Sequence, residues 1–293
     1  MRIIVPENIK LDIPNVEYYG TEILNPETVD VFVGNIGVFN AYRDQLENVK
    51  YIQLLSAGYD SLELKGLENK VVCNARGAYS GPIAEYTVAY LLSIYRQHDA
   101  FKQSQKDHRW NRDIPVTTLY GKQVAYLGAG DIAFETQSRL KPFGVSSIAV
   151  NSNGREVPGF DAFFALNDLQ QALSDADIVI CSLPLNPHTD GLLGSEQFAM
   201  MKEGSIFVNV GRGPVVKSKD LLEALEENVA YAILDVFEKE PVPMDDPIWD
   251  HPRVIMTPHV SGDAQESVIK LQNLLTQNIL LFQNGETPKN QIN

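Results

Sequence analysis

The stretch Val124-Ala125-Tyr126-Leu127-Gly128-Ala129-Gly130-Asp131-Ile132-Ala133 spaces its small residues as G-x-G-x-x-A. Gly128 permits a tight turn, Gly130 leaves no Cβ in the way of an approaching group, and Ala133 lets a helix close on a strand. The helix opened by Asp131 and Ile132 offers unpaired N–H groups and a partial positive charge to a pyrophosphate. Such a turn is weak alone, since glycines join strands to helices in proteins that bind nothing. Its place after an apolar run and before a helical stretch favours a dinucleotide. Farther on, Asn209–Val216 holds Arg212, Leu234–Pro241 holds Asp235 and Glu240, and Thr257–Gly262 holds His259. A guanidinium is a permanent anion holder, and an imidazole exchanges protons near neutral pH, most usefully when a carboxylate orients it. Taken singly, each has a plainer reading: a loop histidine, a solvated Arg-Gly turn, an acid that ends a segment.

These residues need a scaffold that brings their loops together. Short β-branched runs alternate with helical stretches, which predicts an α/β chain of βαβ units with parallel sheets. The first strand candidates are Arg2–Val5, Val29–Val33, Tyr51–Leu55 and Lys70–Cys73, followed by a helix over Ile83–His98 and an irregular connector over Lys102–Thr118. The second series is Gln123–Leu127, Ser147–Val150, Asp177–Leu183, Ser205–Val210, Ala230–Val236 and Val254–Met256. Helices are expected near Ile132–Phe143, Leu169–Leu173, Ser195–Met201, Ser218–Glu227 and Ala264–Gln283. The expected domains are 1–98 plus 264–293, and 99–263, with the second inserted into the first. Because parallel strands end on one rim, Arg212, Glu240 and His259 can converge there beside the glycine turn.

Composition narrows the partners. The 293 residues include 24 Lys+Arg against 38 Asp+Glu, a formal charge of −14. Without a local basic cluster, that surface repels nucleic acid and anionic lipid. No apolar run approaches a membrane span, and the N-terminus turns polar too soon for a signal peptide, so a cytoplasmic protein is expected. Cys73 and Cys181 sit in apolar runs and read as buried thiols. No Cys/His/Asp spacing suggests a metal.

An acid at the end of the strand after the glycine turn would select NAD by binding the ribose 2′-hydroxyl. Here the strand runs into Asn151-Ser152-Asn153-Gly154-Arg155. Neutral donors at Asn151 and Ser152, with Arg155 behind, suit a 2′-phosphate and predict NADP over NAD; a merely polar turn would accept either.

Together the glycine turn and the segments around Arg212, Glu240 and His259 resemble the D-isomer-specific 2-hydroxyacid dehydrogenase family. The resemblance extends to Ser56-Ala57-Gly58-Tyr59-Asp60, Asn74-Ala75-Arg76-Gly77, Ser182–Thr189 and Trp249, nearly the whole chain. It implies two doubly wound domains, a flavodoxin-like substrate domain and an inserted Rossmann cofactor domain. It also implies reduction of a 2-keto acid to a D-2-hydroxy acid by hydride from NAD(P)H. In that chemistry Arg212 bridges carboxylate and carbonyl, His259 supplies the proton, and Glu240 orients the imidazole and favours its charged form. Ala57 and Gly58 would grip the carboxylate through backbone N–H groups, with Tyr59 and Arg76 bordering the pocket. Arg76 meets either a second polar group on the substrate or a surface carboxylate. Leu183, Pro184 and Val210 would line the dinucleotide site, and Asp235 would meet the nicotinamide carboxamide. Trp110 resembles part of the family's dimerisation arm, so a homodimer is expected. Phe134 and Gln137 depart from the family's small or basic residues on the first helix. The rival from another class is a non-catalytic dinucleotide sensor, which has no need of a proton donor such as His259.

Overall fold

The computed structural model describes residues 1–293 and divides into two compact units, Met1–Tyr79 with Asp263–Asn293, and Ser80–Gly262. The first unit contains strands β1 (Ile3–Pro6), β2 (Val16–Tyr19) and β3 (Val31–Gly34), helix α1 (Ile36–Tyr42), and strands β4 (Tyr51–Leu54) and β5 (Val71–Cys73). The strands form a parallel sheet in the order β2-β1-β3-β4-β5, the flavodoxin-like order. Alternation along each strand builds two cores. Ile3, Val5, Val31, Val33 and Tyr51 face Leu271, Leu275 and Ile279 of the long C-terminal helix, while Ile4, Phe32, Ile52 and Val72 pack with Phe39 of α1. Both faces are covered, as a parallel sheet requires.

The second unit opens with helices α2 (Ser80–Tyr95) and α3 (His98–Lys106). Then follow β6 (Gln123–Leu127), α4 (Asp131–Leu140), β7 (Ser146–Asn151), β8 (Ala162–Ala165), α5 (Leu169–Leu173), β9 (Ile178–Cys181) and α6 (Ser195–Ala199). The series closes with β10 (Ser205–Asn209), α7 (Ser218–Glu226), β11 (Val229–Leu234) and β12 (Val254–Met256); α8 (Gln265–Gln283) belongs to the first unit. The seven strands are parallel in the order β12-β11-β10-β9-β6-β7-β8. That order reverses direction between β6 and β9, the Rossmann switch point where a crevice opens at the strand C-termini. One face packs Ala125, Leu127, Val179, Phe207 and Leu234 against Leu173, Phe198 and Leu225 of the covering helices.

The fold is therefore the expected pair of doubly wound α/β units. The compact units divide at 79/80, whereas the sequence reading places the boundary at 98/99. The physical reason is α2: it packs along α4 of the second unit, and it buries Ile83, Thr87, Leu91 and Tyr95 at four-residue spacing. Four elements escape the pattern reading. β2 and β8 are edge strands of four residues, and α1 is a seven-residue helix with Gly37 in its first turn. In α3, within and before the expected connector, only Ser104 is buried, so there is no apolar stripe to detect.

Cys73 and Cys181 are both buried, and burial pushes their thiols up, to about 11 and about 12 respectively. Thiolates are the reactive species, so an anionic thiol reagent at pH 8 should label neither cysteine in the native protein and both after denaturation. Rapid native labelling of either would contradict the packing described here.

Candidate active site

The glycine turn leaves β6 at the switch point. Gly128 has φ +98°, a left-handed conformation that favours glycine, and a Cβ there would lie 3.2 Å from the Ser182 backbone. Ser182 in turn donates from its backbone to Leu127 O (2.9 Å) and from its hydroxyl to Gly128 O (3.2 Å). Gly130 is the N-cap of α4, which has no side-chain cap, and a Cβ on Gly130 would meet nothing within 4 Å. Its own packing therefore does not require a glycine. A bare cap under open space is what a pyrophosphate needs above a helix N-terminus, and these residues fit a dinucleotide. Asp131 is exposed and Ile132 half-buried at that first turn. Leu183 is buried and Pro184 exposed just beyond β9, and Val210 is buried just beyond β10, donating its N–H to Cys181 O at 3.0 Å. All lie at the same sheet edge.

Asn151 ends β7, next to β6. Its side chain is bonded within the turn that follows. Oδ1 accepts from the N–H groups of Asn153 (3.2 Å) and Arg155 (3.1 Å), and Nδ2 donates to Arg155 O (2.8 Å). The amide that sequence reasoning reads as a phosphate donor also shapes the turn, using its oxygen and one of its two N–H hydrogens there. Ser152 and Arg155 stand exposed on it.

Arg212, Glu240 and His259 follow β10, β11 and β12, three successive neighbours in the sheet. Glu240 bridges two partners: Oε1 accepts from Phe237 N–H (2.9 Å), and Oε2 meets His259 Nδ1 at 2.9 Å. That places the transferable ring position, Nε2, on the other side of an imidazole that is 52% exposed. Arg212 caps the short helical turn Gly213–Val215, and its Nη1 donates to Gly211 O (2.9 Å). Gly213 lies against Phe237 O so closely that a Cβ would clash. The Arg212 turn and the Phe237–Glu240 turn are thereby packed together.

Asp235 explains how the histidine is held. It is 1% exposed, and burying a carboxylate is costly unless donors surround it. Oδ1 accepts from Thr257 Oγ1 (2.6 Å) and Val260 N–H (2.9 Å); Oδ2 accepts from Ser261 N–H (3.0 Å) and the Ser261 hydroxyl (2.5 Å). The sequence reading sends Asp235 to a carboxamide; in the structure both its oxygens serve the loop around His259. Tyr86 on α2 extends the chain, with its hydroxyl 2.8 Å from Thr257 Oγ1. Burial pushes that phenol up and keeps it protonated. Since the Thr257 hydrogen goes to Asp235, Tyr86 donates to Thr257. His259 adopts φ +57°, sparsely populated for a side chain other than glycine, and its N–H donates to Asp235 O (2.9 Å). Sequence reasoning assigns no role to Tyr86, Thr257 or Ser261. The available signal was a pair of hydroxyl residues two positions either side of His259.

In the first unit, Ser56–Asp60 follows β4 and Asn74–Gly77 follows the neighbouring β5. Asn74 Nδ2 donates to Ala57 O (2.7 Å), and Ser56 Oγ donates to Gly58 O (2.7 Å). Ala57, Tyr59 and Arg76 are exposed there, and Gly58 is half-buried.

A family model described as D-isomer specific 2-hydroxyacid dehydrogenase, NAD binding domain, matches residues 88–261. The chain is 29% identical, over 92% of its length and 89% of the relative's, to a glyoxylate/hydroxypyruvate reductase B of an Enterobacter species. Its fold matches a D-isomer-specific 2-hydroxyacid dehydrogenase family protein from Aeromonas salmonicida at TM-score 0.86 and 29% identity, covering 96% and 92% of the two chains. A Xanthobacter autotrophicus member in complex with NADPH and MES matches at TM-score 0.82 and 28% identity, covering 96% and 90%. The chain belongs to the D-isomer-specific 2-hydroxyacid dehydrogenase family, whose members are NAD(P)-dependent oxidoreductases.

Asp235→Ala would strand several buried donors at once. It should lower unfolding free energy in urea by about 2–4 kcal/mol; a loss under about 1 kcal/mol would show that the carboxylate does not hold the loop.

Proposed function

We propose that the protein reduces a 2-keto acid to the D-2-hydroxy acid, with NADPH preferred over NADH. The observation that carries this reading is the 2.9 Å contact between His259 Nδ1 and Glu240 Oε2 on the loops that follow β12 and β11. Because Glu240 accepts the Nδ1 hydrogen, the protonated imidazole presents its second proton at Nε2. A bound reduced nicotinamide supplies the hydride. Arg212 holds the substrate's carboxylate and carbonyl through charge-assisted hydrogen bonds. As negative charge develops on the carbonyl oxygen, His259 gives its Nε2 proton to that oxygen, and Glu240 steadies the ring throughout. Alcohol oxidation runs the same proton backwards. In the first unit, the backbone at Ala57 and Gly58, with Tyr59 and Arg76, is assigned to substrate recognition by family resemblance.

For the dinucleotide, the helix opening at Gly130–Ile132 would hold the pyrophosphate, and Leu183, Pro184 and Val210 would line the site. Ser152 and Arg155 would meet a ribose 2′-phosphate. No carboxylate stands at the end of β7 to repel that group, and the Xanthobacter relative was solved with NADPH.

NADPH oxidation with glyoxylate, hydroxypyruvate, pyruvate and bulkier 2-keto acids tests the activity, and kcat/KM should be higher than with NADH. No turnover with any of them would favour a dinucleotide sensor. His259→Ala should lower kcat by about 10²–10⁴-fold while leaving NADPH binding intact; near-normal kcat would remove His259 from the chemistry.

A homodimer is proposed from the segment after α2. Trp110 is 94% exposed there, and Tyr120 and Val116 are exposed beside it in sequence; such apolar exposure marks contact surfaces. Light scattering should give twice the 32.6 kDa chain mass, and Trp110→Ser should shift the protein toward monomer. A wild-type monomer at micromolar concentration would refute the dimer.

A further inference from the structure

Phe134 and Gln137 on α4 are the two departures from the family pattern, and the glycine turn uses neither. Gln137 is 7% exposed, and its Nε2 donates to Gly159 O at 2.7 Å. Phe134 lies edge-on to Phe160, with ring centroids 5.4 Å apart at 81°. Phe160 meets Tyr126 of β6 in the same way, at 5.4 Å and 83°. Both contacts fall on one piece of chain, the crossover 152–160 from β7 to β8.

That crossover has no helix of its own. Its head is fixed by the Asn151 amide, which closes the turn through Asn153 and Arg155. Its middle is anchored by the buried Val157. Its tail is held where Asp161 pairs with Ser147 of β7 through backbone and carboxylate, and just before that by Gln137 on the Gly159 carbonyl and by the contacts of Phe160 with Phe134 and Tyr126. Arg155 closes the head turn through its backbone N–H and C=O, both bonded to the Asn151 amide, while its side chain stands exposed and its guanidinium makes no hydrogen bond or ion pair within the protein. Nothing on its own side chain determines where it sits. The path of the crossover does.

We infer that Gln137, seconded by Phe134, is a positioning residue for recognition of the 2′-phosphate: by pinning the tail of the crossover to α4 it keeps Ser152 and Arg155 at the end of β7. This rests on the proposed NADP preference and extends it to residues that never touch the dinucleotide. One neutral hydrogen bond corresponds to a factor of about two to ten in the population of the pinned crossover. The Gly159 carbonyl belongs to an exposed residue, where water can replace the donor. Losing the bond should therefore loosen the crossover without unfolding the unit.

The test is calorimetric titration of the 293-residue chain with adenosine 2′,5′-bisphosphate and with 5′-AMP. Arg155→Ala should weaken the bisphosphate about tenfold and leave 5′-AMP nearly unchanged. Gln137→Met, which keeps the length of the side chain but removes the donor, should weaken the bisphosphate about three- to tenfold, again sparing 5′-AMP. The double variant should lose less than the two single losses combined, because Gln137 acts in part through the Arg155 contact. Amide exchange across 152–158 should quicken in Gln137→Met. If that variant proves insoluble, Phe160→Leu loosens the same tail and should show the same selective loss. Equal weakening of both ligands would make Gln137 a general structural residue and overturn the inference, as would unchanged binding of both. Should Arg155→Ala fail to discriminate between the ligands, the 2′-phosphate reading itself falls, and this inference with it.

Discussion

The Asp235 carboxylate is buried at the end of β11, and everything proposed for His259 depends on it. A charge removed from water is tolerated only where donors replace the lost hydration. Here two backbone N–H groups and two hydroxyls do so, all from the stretch 257–261. That stretch follows an edge strand of three residues, β12, which alone gives it little definition. By gathering its donors, Asp235 fixes the left-handed backbone of His259 and sets the imidazole against Glu240. The chain from Tyr86 through Thr257 ties the same loop to α2, so a helix that packs on α4 also supports the far edge of the sheet.

Charge works against the proposed ligands at long range and for them at short range. A chain of net charge −14 repels both a 2-keto acid and a phosphorylated dinucleotide. Screening limits that repulsion to about 8 Å at physiological ionic strength. Inside this distance the local groups decide: the guanidinium of Arg212, the imidazole of His259, Arg155 on its turn, and the opening of α4. An acidic protein can therefore take anionic ligands, provided the cationic groups are held in place. Much of the polar bonding described above does that holding.

Sequence alone was most informative where a residue's chemistry is tied to its backbone. Gly128 and Gly130 announce a turn, and the parallel runs of β6, β9 and β10 announce the sheet. The order Arg212, Glu240, His259 announces three loops on one rim. What escaped was of two kinds. Edge strands such as β2 and β8 are too short to show a period, and α3 carries only Ala100 and Phe101 among polar residues, so neither shows a periodic apolar face. Side-chain amides and hydroxyls also escaped. The bonds of Asn151 to residues 153 and 155 are invisible in the pattern, and Gln137 looks idle until Gly159, 22 residues away, is placed beside it. A pattern records what a residue can bond, and only the fold records what it does bond.

The most direct measurement is a crystal structure of the full chain with NADP⁺ and oxamate, a keto-acid mimic that cannot be reduced. The proposed chemistry places Arg212 and the Nε2 of His259 within about 3.2 Å of oxamate oxygens, with the Glu240 contact to Nδ1 retained. Oxamate bound away from these side chains, or an imidazole turned so that Nε2 faces Glu240, would contradict it.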